Sequence, residues 1–329
     1  MVKRIRSATA CLMVLALWWI AAAQAATVLI IESYHHGHPW DTSYIQGIRE
    51  GMTGDILFYT FEMDTKRILE SEFEKKAEDA WAYYQAINPA LVFLGDDNAL
   101  KYLGPKFARV KTPAVFLGIN NNPRAYHVLK NGNITGVLER PLIKRSIVEM
   151  NKILDMAQVL VLFDAGTTSR VVFDEVFRGK EQIRVSGIRI HMKLTNSWGT
   201  WQQIVGSAHQ SGYDAVMIGL YHTLTDKDGT HVPAADVLHW TCAATQVPPF
   251  AFWDFTVGKD KAIGGLTLFG KSQGLEAAQM GMAILKGTPP EKIKVKTGKT
   301  GRLLFSRSQL EKHGIRLPRK MADAAKFVE

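Results

Sequence analysis

Cysteine is almost missing from this chain. Only Cys11 and Cys242 occur in 329 residues. Cys11 sits in the first apolar run and leaves if that run is removed, so Cys242 has no partner for an internal disulfide. A disulfide-stapled miniprotein is thereby excluded, and the remaining thiol is expected to be buried and inert. Proline (12) and glycine (27) are too few and too scattered for a collagen-like fibre. No basic tract is dense and the formal net charge is only +9, so nucleic acid is not the default partner. No repeat of 20–50 residues and no low-complexity tract occurs. What is present is a globular composition, 47% apolar and 22% charged. The length exceeds the roughly 250–300 residues at which single cores stop growing, so two lobes are expected.

Lys3, Arg4 and Arg6 open the chain, and Ala8–Ala23 follows as an apolar run. Ala23-Gln24-Ala25 then places small residues at the two positions a signal peptidase reads. This is the three-part pattern of a secretory signal. We expect residues 1–25 to be a signal peptide cleaved after Ala25, which makes the protein periplasmic. The competing reading is an uncleaved anchor. No charge appears between Arg6 and Glu32, and about 20 apolar residues span a bilayer. Cys11 lies too early in the run to be a lipid-attachment cysteine. Removing Met1–Ala25 takes away three basic and no acidic residues and leaves a charge of +6. No later apolar stretch is long enough to span a membrane.

Beyond that segment, short apolar runs alternate with amphipathic stretches. Val28–Ile31, Ile56–Phe61, Ala90–Leu94, Ala114–Leu117, Val159–Phe163, Val185–Met192, Ala215–Ile218 and Phe250–Phe252 read as strands. Ser43–Met52, Lys66–Ala86, Ala99–Val110, Leu142–Asp155, Thr168–Phe177, Trp198–Gln210, Ala234–Thr245 and Leu275–Lys286 read as helices. Ile143, Ile147, Met150 and Leu154 illustrate the helical spacing. Regular strand–helix alternation gives parallel sheets covered on both faces, with right-handed crossovers. The expected fold class is α/β, with two doubly wound, Rossmann-like lobes joined by a hinge. The chain passes between lobes near Ile134–Pro141 and again near Ala262–Leu268. Lobe 1 is read as 26–138 plus 264–287, and lobe 2 as 139–263 plus 288–329. The hinge is expected at Thr135–Glu139 and Ile263–Thr267.

Three stretches carry a resemblance. They are VLIIESYHHGHPWDTSYIQGIREG (Val28–Gly51), FLGDDNA (Phe93–Ala99) with FLGINNNP (Phe116–Pro123), and IGGLTLFGKSQGLEAAQMGMAILKGTPPEKIKV (Ile263–Val295). Together they resemble the substrate-binding proteins of bacterial ABC transporters with the type I periplasmic-binding fold, including aromatic-amino-acid-binding members. The likeness spans nearly the whole chain after the signal. Similar modules serve as sensors outside some membrane histidine kinases. The resemblance implies a small-molecule ligand held between lobes by hinge closure, with a membrane ABC permease as partner. The alternative partner is a receptor kinase ectodomain. It implies no cofactor and no catalytic site, and the chain is expected to be a monomer. An aromatic or hydrophobic amino acid is the expected ligand class. His36 and His38 stand where the family pattern has proline and an aromatic.

In an open parallel sheet, ligands bind at the carboxyl ends of the strands. The candidate ligand-binding residues are therefore those of the strand-end loops. In the first half these are Ser33, Tyr34, Trp40, Asp96, Asp97, Asn98, Asn120 and Asn121. In the second half they are Asp164, Thr167, Thr168, Tyr221, Trp253 and Asp254. Rings would pack on Tyr34, Trp40, Tyr221 or Trp253. An ammonium group would meet Asp97 or Asp254, and a carboxylate would meet the hydroxyls and N–H groups of Thr167-Thr168 at a helix start. Each residue also has a structural reading. Asp97-Asn98 would cap a helix from Ala99, Thr167 or Thr168 would cap another, and the rings would brace loops or the lobe interface.

Two sharper patterns occur. Gly270-Lys271-Ser272-Gln273-Gly274 matches G-x-S-x-G, which in a hydrolase would make Ser272 a nucleophile. Only His313 follows it, and no Gly-rich oxyanion loop precedes it, so a helix start with Ser272 as N-cap is the preferred reading. His35, His36 and His38 could approach Asp96 or Asp97 around zinc, but neighbouring side chains in one loop diverge and no second ligand set joins them. Asn133-Ile134-Thr135 matches a glycosylation pattern of no weight in a bacterial chain, and no phosphate-binding G-x-G-x-x-G follows the first strand. The basic residues from Lys286 to Lys320 read as a solvated face.

Overall fold

The computed structural model describes residues 25–129, 132–298 and 301–329. The signal-peptide reading therefore lies, apart from Ala25, outside the described residues. Strands β1 Ala26–Glu32, β2 Ile56–Glu62, β3 Leu91–Gly95, β4 Ala114–Ile119 and β5 Ile134–Leu138 belong to the first half. Strands β6 Gln158–Phe163, β7 Gln182–Val185, β8 Ile188–Leu194, β9 Ala215–Ile218 and β10 Pro249–Ala251 belong to the second. Strands β11 Gly264–Thr267, β12 Lys296–Thr297, β13 Arg302–Ser306 and β14 Lys326–Val328 follow. The helices are α1 Pro39–Gly51, α2 Phe73–Ile87, α3 Asp96–Phe107, α4 Ile143–Met150, α5 Thr167–Phe177, α6 Trp198–Gly206, α7 Ala234–Ala244 and α8 Gly270–Leu285, with two short ones after them.

The first sheet is parallel throughout, in the order β12-β5-β4-β3-β1-β2. Its central strands β3 and β4 are buried apolar runs because helices cover both faces, while β2 at one edge is partly exposed and β12 at the other is exposed. Val28 and Ile30 pack in one core with Tyr44 and Ile48 of α1 and Ala277 and Ala278 of α8. Leu29 and Ile31 turn the other way, toward Ala77 and Ala80 of α2 and Leu100, Leu103 and Phe107 of α3. The second sheet runs β10-β9-β6-β8-β7 and repeats this scheme, with Leu160 and Leu162 facing Trp201, Val237 and Leu238. A third sheet, β11-β13-β14, uses the end of the chain. The architecture is the α/β one expected, with two doubly wound sheets.

Several element boundaries differ from expectation. Val185–Met192 is a hairpin rather than one strand. Ser186 and Gly187 adopt φ of 49° and 86°, and β7 returns antiparallel onto β8. Positive φ at both central residues is what a two-residue hairpin turn needs. α2 begins at Phe73, so Lys66 lies on the loop before it. α4 ends at Met150, four residues after Ser146, not at Asp155. The C-terminal segment, read as belonging to lobe 2, is divided between sheets. Lys296–Thr297 pairs with β5, and Arg302–Ser306 pairs with β11.

The Gly270–Gly274 motif is a packing device. A Cβ on Gly270 would meet the Trp40 carbonyl at 2.7 Å, and one on Gly274 would collide with the carbonyl of Tyr44. On the facing helix, a Cβ on Gly47 would collide with the carbonyl of Lys271. These glycines let α8 and α1 touch backbone to backbone. Ser272 is not the N-cap. It sits in the first turn of α8 and donates to the Phe269 carbonyl at 3.0 Å.

Candidate functional site between the sheets

Strand order fixes where a crevice opens. In the first sheet the chain moves from β1 to β2 and then back across to β3, so the connections diverge between β1 and β3. In the second they diverge between β6 and β9. Loops at such switch points part and leave a crevice. Ser33-Tyr34 and Asp96 follow β1 and β3, while Asp164 and Tyr221-His222 follow β6 and β9.

Residues from both halves close on one another there. The Tyr34 hydroxyl donates to Asp96 Oδ1 at 2.6 Å and lies 3.1 Å from Thr168 Oγ1 at the start of α5. The Trp253 indole N–H donates to Glu139 Oε1 at 2.8 Å. Between them is a small cavity of about 20 Å3, bordered by Trp40, Asn120, Leu220 and Phe255. Polar atoms without a partner line it: Trp40 Nε1, Asn120 Oδ1 and both ring nitrogens of His38.

Asp96 occupies an unusual backbone position, with φ of 73° at the head of α3. Left-handed conformations are disfavoured outside glycine but tolerated by Asp, and they concentrate at functional sites. Gly118, at φ 70° in an irregular stretch of β4, makes room for it. A Cβ there would stand 3.3 Å from Trp40 Nε1 and 3.4 Å from Asp96 Oδ2. Burial, reinforced by the neighbouring Asp97 charge, raises the Asp96 carboxyl to about 7. Burial, followed by the Asp96 charge, holds Glu139 well above the carboxylate range.

The other expected residues divide sharply. Tyr34, Trp40, Asp96, Asn120, Thr168 and Trp253 line the central cavity. Asn98, Thr167 and Thr168 line a wider groove of about 610 Å3 beside it. Asp97 is not a cap for a helix from Ala99, because α3 starts at Asp96. Its carboxylate, raised to about 6 by burial, accepts from the N–H groups of Asn120 and Asn121 at 3.0 and 3.1 Å and so ties β4 to α3. Asn121 donates to the Tyr126 hydroxyl at 2.8 Å. Ser33 donates to the Gly95 carbonyl at 2.6 Å and accepts from Ala99 N–H at 2.8 Å. Asp164 accepts from Ser169, Gly166 and the His222 N–H. Asp254 is paired with Arg302 at 2.8 Å, which removes it as an ammonium partner. Neither Thr167 nor Thr168 is an N-cap; Gly166 holds that position. Tyr221 stacks on His222, with ring centroids 4.4 Å apart.

Sequence reasoning missed Glu139, Lys66 and Phe255, which also border the central cavity. Glu139 lay in a segment read as hinge. Lys66 lay in a stretch read as helix. His38, weighed as a zinc ligand, is buried while His36 is exposed, so the two do not converge. Among the described residues no group of three or more His, Cys, Asp or Glu could hold a metal ion. No helix among them is long and apolar enough to cross a membrane. Cys242 is buried, and burial pushes its thiol up to about 12.

Comparisons with known proteins agree with this architecture. A conserved domain protein from Vibrio cholerae superposes with a TM-score of 0.69 at 17% identity, covering 93% of this chain and 100% of its own. An ABC domain from Streptococcus pneumonia in complex with L-Trp gives 0.65 at 16% identity, covering 92% and 100%. The ligand-free, open structure of a substrate-binding protein with adhesive properties from Clostridium difficile gives 0.62 at 14%, covering 93% and 99%. These likenesses establish the type I periplasmic-binding fold. No curated protein matches the chain. The family model described as ABC transporter substrate binding protein matches residues 108–328, about two thirds of the length. The chain belongs to the ABC transporter substrate binding protein family, whose members bind small molecules rather than catalyse reactions on them.

Proposed function

We propose that this protein works in the periplasm, where it captures an aromatic or hydrophobic amino acid in the interlobe cavity and delivers it to an ABC permease without chemical change. One observation carries the reading. Two buried carboxyl groups, Asp96 and Glu139, face a cavity walled by Tyr34, Trp40 and Trp253, and neither has a cation within ion-pair distance among the described residues. A ligand ammonium satisfies them. The unpartnered Asn120 Oδ1 adds an acceptor. The ligand carboxylate meets Thr168 at the start of α5, where hydroxyl and helix N–H groups favour an anion. The rings supply the apolar contact.

The cavity of about 20 Å3 holds little more than one water, so the ligand enters as the lobes part and is then enclosed. Closure is favoured only by contacts the open form lacks, here those the ligand makes to both halves. We place lobe 1 at 26–138 plus 264–287 and the hinge at Thr135–Glu139 and Ile263–Thr267. Trp253 and Glu139 meet beside these crossings. The fourteen residues of the strand-end loops separate, on this reading, into ligand contacts (Tyr34, Trp40, Asp96, Asn120, Thr168, Trp253) and the scaffold that fixes them.

Calorimetry against tryptophan, phenylalanine, tyrosine, leucine, isoleucine and valine tests the reading. At least one should bind, and Glu139→Gln should weaken that binding by about tenfold or more, the effect of losing roughly 1.4 kcal/mol. Silence across every aromatic and branched member would end it. The wild-type protein and Ser272→Ala should both be inert in a generic ester assay.

A further inference from the structure

Beside the interlobe cavity lies a separate chamber of about 460 Å3. It shares only His38, Lys66 and Phe255 with that cavity, and Tyr221, His222 and Leu238 form much of its remaining wall. No Asp or Glu lines it. Three cations do. Arg67 is occupied by Asp64, at 2.7 and 2.9 Å. Lys261 donates to the Phe255 carbonyl at 3.2 Å and has no carboxylate within ion-pair distance among the described residues. Lys66 is buried, 6% exposed, with its ammonium 4.6 Å above the Tyr34 ring and likewise no carboxylate in reach. A buried ammonium is normally paired.

The imidazoles complete the picture. His38 is 3% exposed, and neither of its nitrogens has a hydrogen-bond partner. Burial keeps it unprotonated, as it does His222, lowered to about 3. Each neutral ring keeps one N–H to donate. The nearest acids are already engaged. Asp41 lies 3.7 Å from His38 Nδ1, and burial, followed by the Asp96 and Glu32 charges, pushes its carboxyl well above the usual range. Asp164 accepts from Ser169, Gly166 and the backbone N–H of His222; burial raises its carboxyl, but the Lys66 charge and the Ser169 hydrogen bond hold it below the usual range, with no ion pair joining it to Lys66. Glu62 and Asp64 act on His35 at the outer edge, where Arg67 opposes them.

We propose that this chamber is a second binding site, for an apolar organic acid. The carboxylate meets Lys66, Lys261 and the imidazole N–H groups of His38 and His222, while Phe255, Tyr221 and Leu238 pack the hydrocarbon. The site goes beyond the amino-acid reading, because it asks for no ammonium and occupies its own volume.

The test is calorimetry with 3-phenylpropionate and its uncharged analogue 3-phenylpropionamide, on wild type, Ala235→Trp and Lys66→Met. Ala235 is exposed on the chamber wall, so a tryptophan there fills the space without entering the core. The acid should bind at least tenfold more tightly than the amide. Ala235→Trp should abolish that binding yet respond to the amino-acid panel as wild type does. Lys66→Met should erase the preference for acid over amide. Equal binding of acid and amide, undiminished acid binding by Ala235→Trp, or no heat from the acid at millimolar concentration each overturns the proposal. A silent amino-acid panel with acid binding that Ala235→Trp removes overturns only the amino-acid reading.

Discussion

Asp96 concentrates several costs in one residue. It is buried, sits at φ 73°, and has a carboxyl raised to about 7. The unfolded chain returns that group to its ordinary value near 3.8. Between these values the native state holds a proton that the unfolded state has released, so stability falls as pH rises across the window from about 4 to about 7. Glu139 and Asp41, also raised by burial, push in the same direction. Thermal melts of the ligand-free protein should show Tm dropping by several degrees between about pH 4.5 and 7.5, and Asp96→Asn should flatten that slope. An unchanged slope in the variant would mean that Asp96 already ionises freely. The sequence showed Asp96-Asp97 as a polar pair at a strand end, but which of the two faces the cavity depends on a single left-handed backbone angle. Asp97, three bonds along the chain, is consumed by the N–H groups of Asn120 and Asn121.

At the level of elements, the α1–α8 contact explains a catalytic-looking motif by packing. Gly270 and Gly274 satisfy a nucleophile pattern by spacing, yet their role is to admit the backbone of α1. Replacing Gly274 with Val should destabilise the protein by about 1–3 kcal/mol, the cost typical of overpacking. Ser272→Ala, which loses only a hydrogen bond to Phe269, should stay within about 1 kcal/mol of wild type. Chemical denaturation midpoints separate the two, and a Gly274→Val protein as stable as wild type would refute the packing role. Most strands were legible because they are apolar runs, and the central ones are covered on both faces. The hairpin at Ser186-Gly187 was not, because a short edge strand joined to its inner neighbour by a two-residue turn gives no break in hydrophobicity. Strands β13 and β14 were hidden in a basic stretch whose charge outweighs its short apolar core.

For the whole molecule, the Tyr34–Thr168 contact bridges the two halves, and Trp253 meets Glu139 where the chain crosses between them. If the two halves move as hinged bodies, the amino acid identified by calorimetry, too large for a cavity of about 20 Å3, should change the radius of gyration in solution scattering. Thr168→Val, which removes the hydrogen bond to Tyr34 between the halves, should raise it in the ligand-free protein. One radius common to all these states would argue for a rigid body. Hydrophobic periodicity, read along the chain, was enough to establish alternating strands and helices in two sets, because burial on both faces of a parallel sheet demands continuous apolar runs spaced by amphipathic turns. It also placed the candidate loops at strand ends, since strand order leaves the crevice there. Which side chains meet was decided only in three dimensions. Glu139, Lys66 and Phe255 come from segments far apart in sequence and border the same cavity, and whether a carboxyl is spent on a backbone N–H or left facing space is a matter of ångströms that no local pattern encodes.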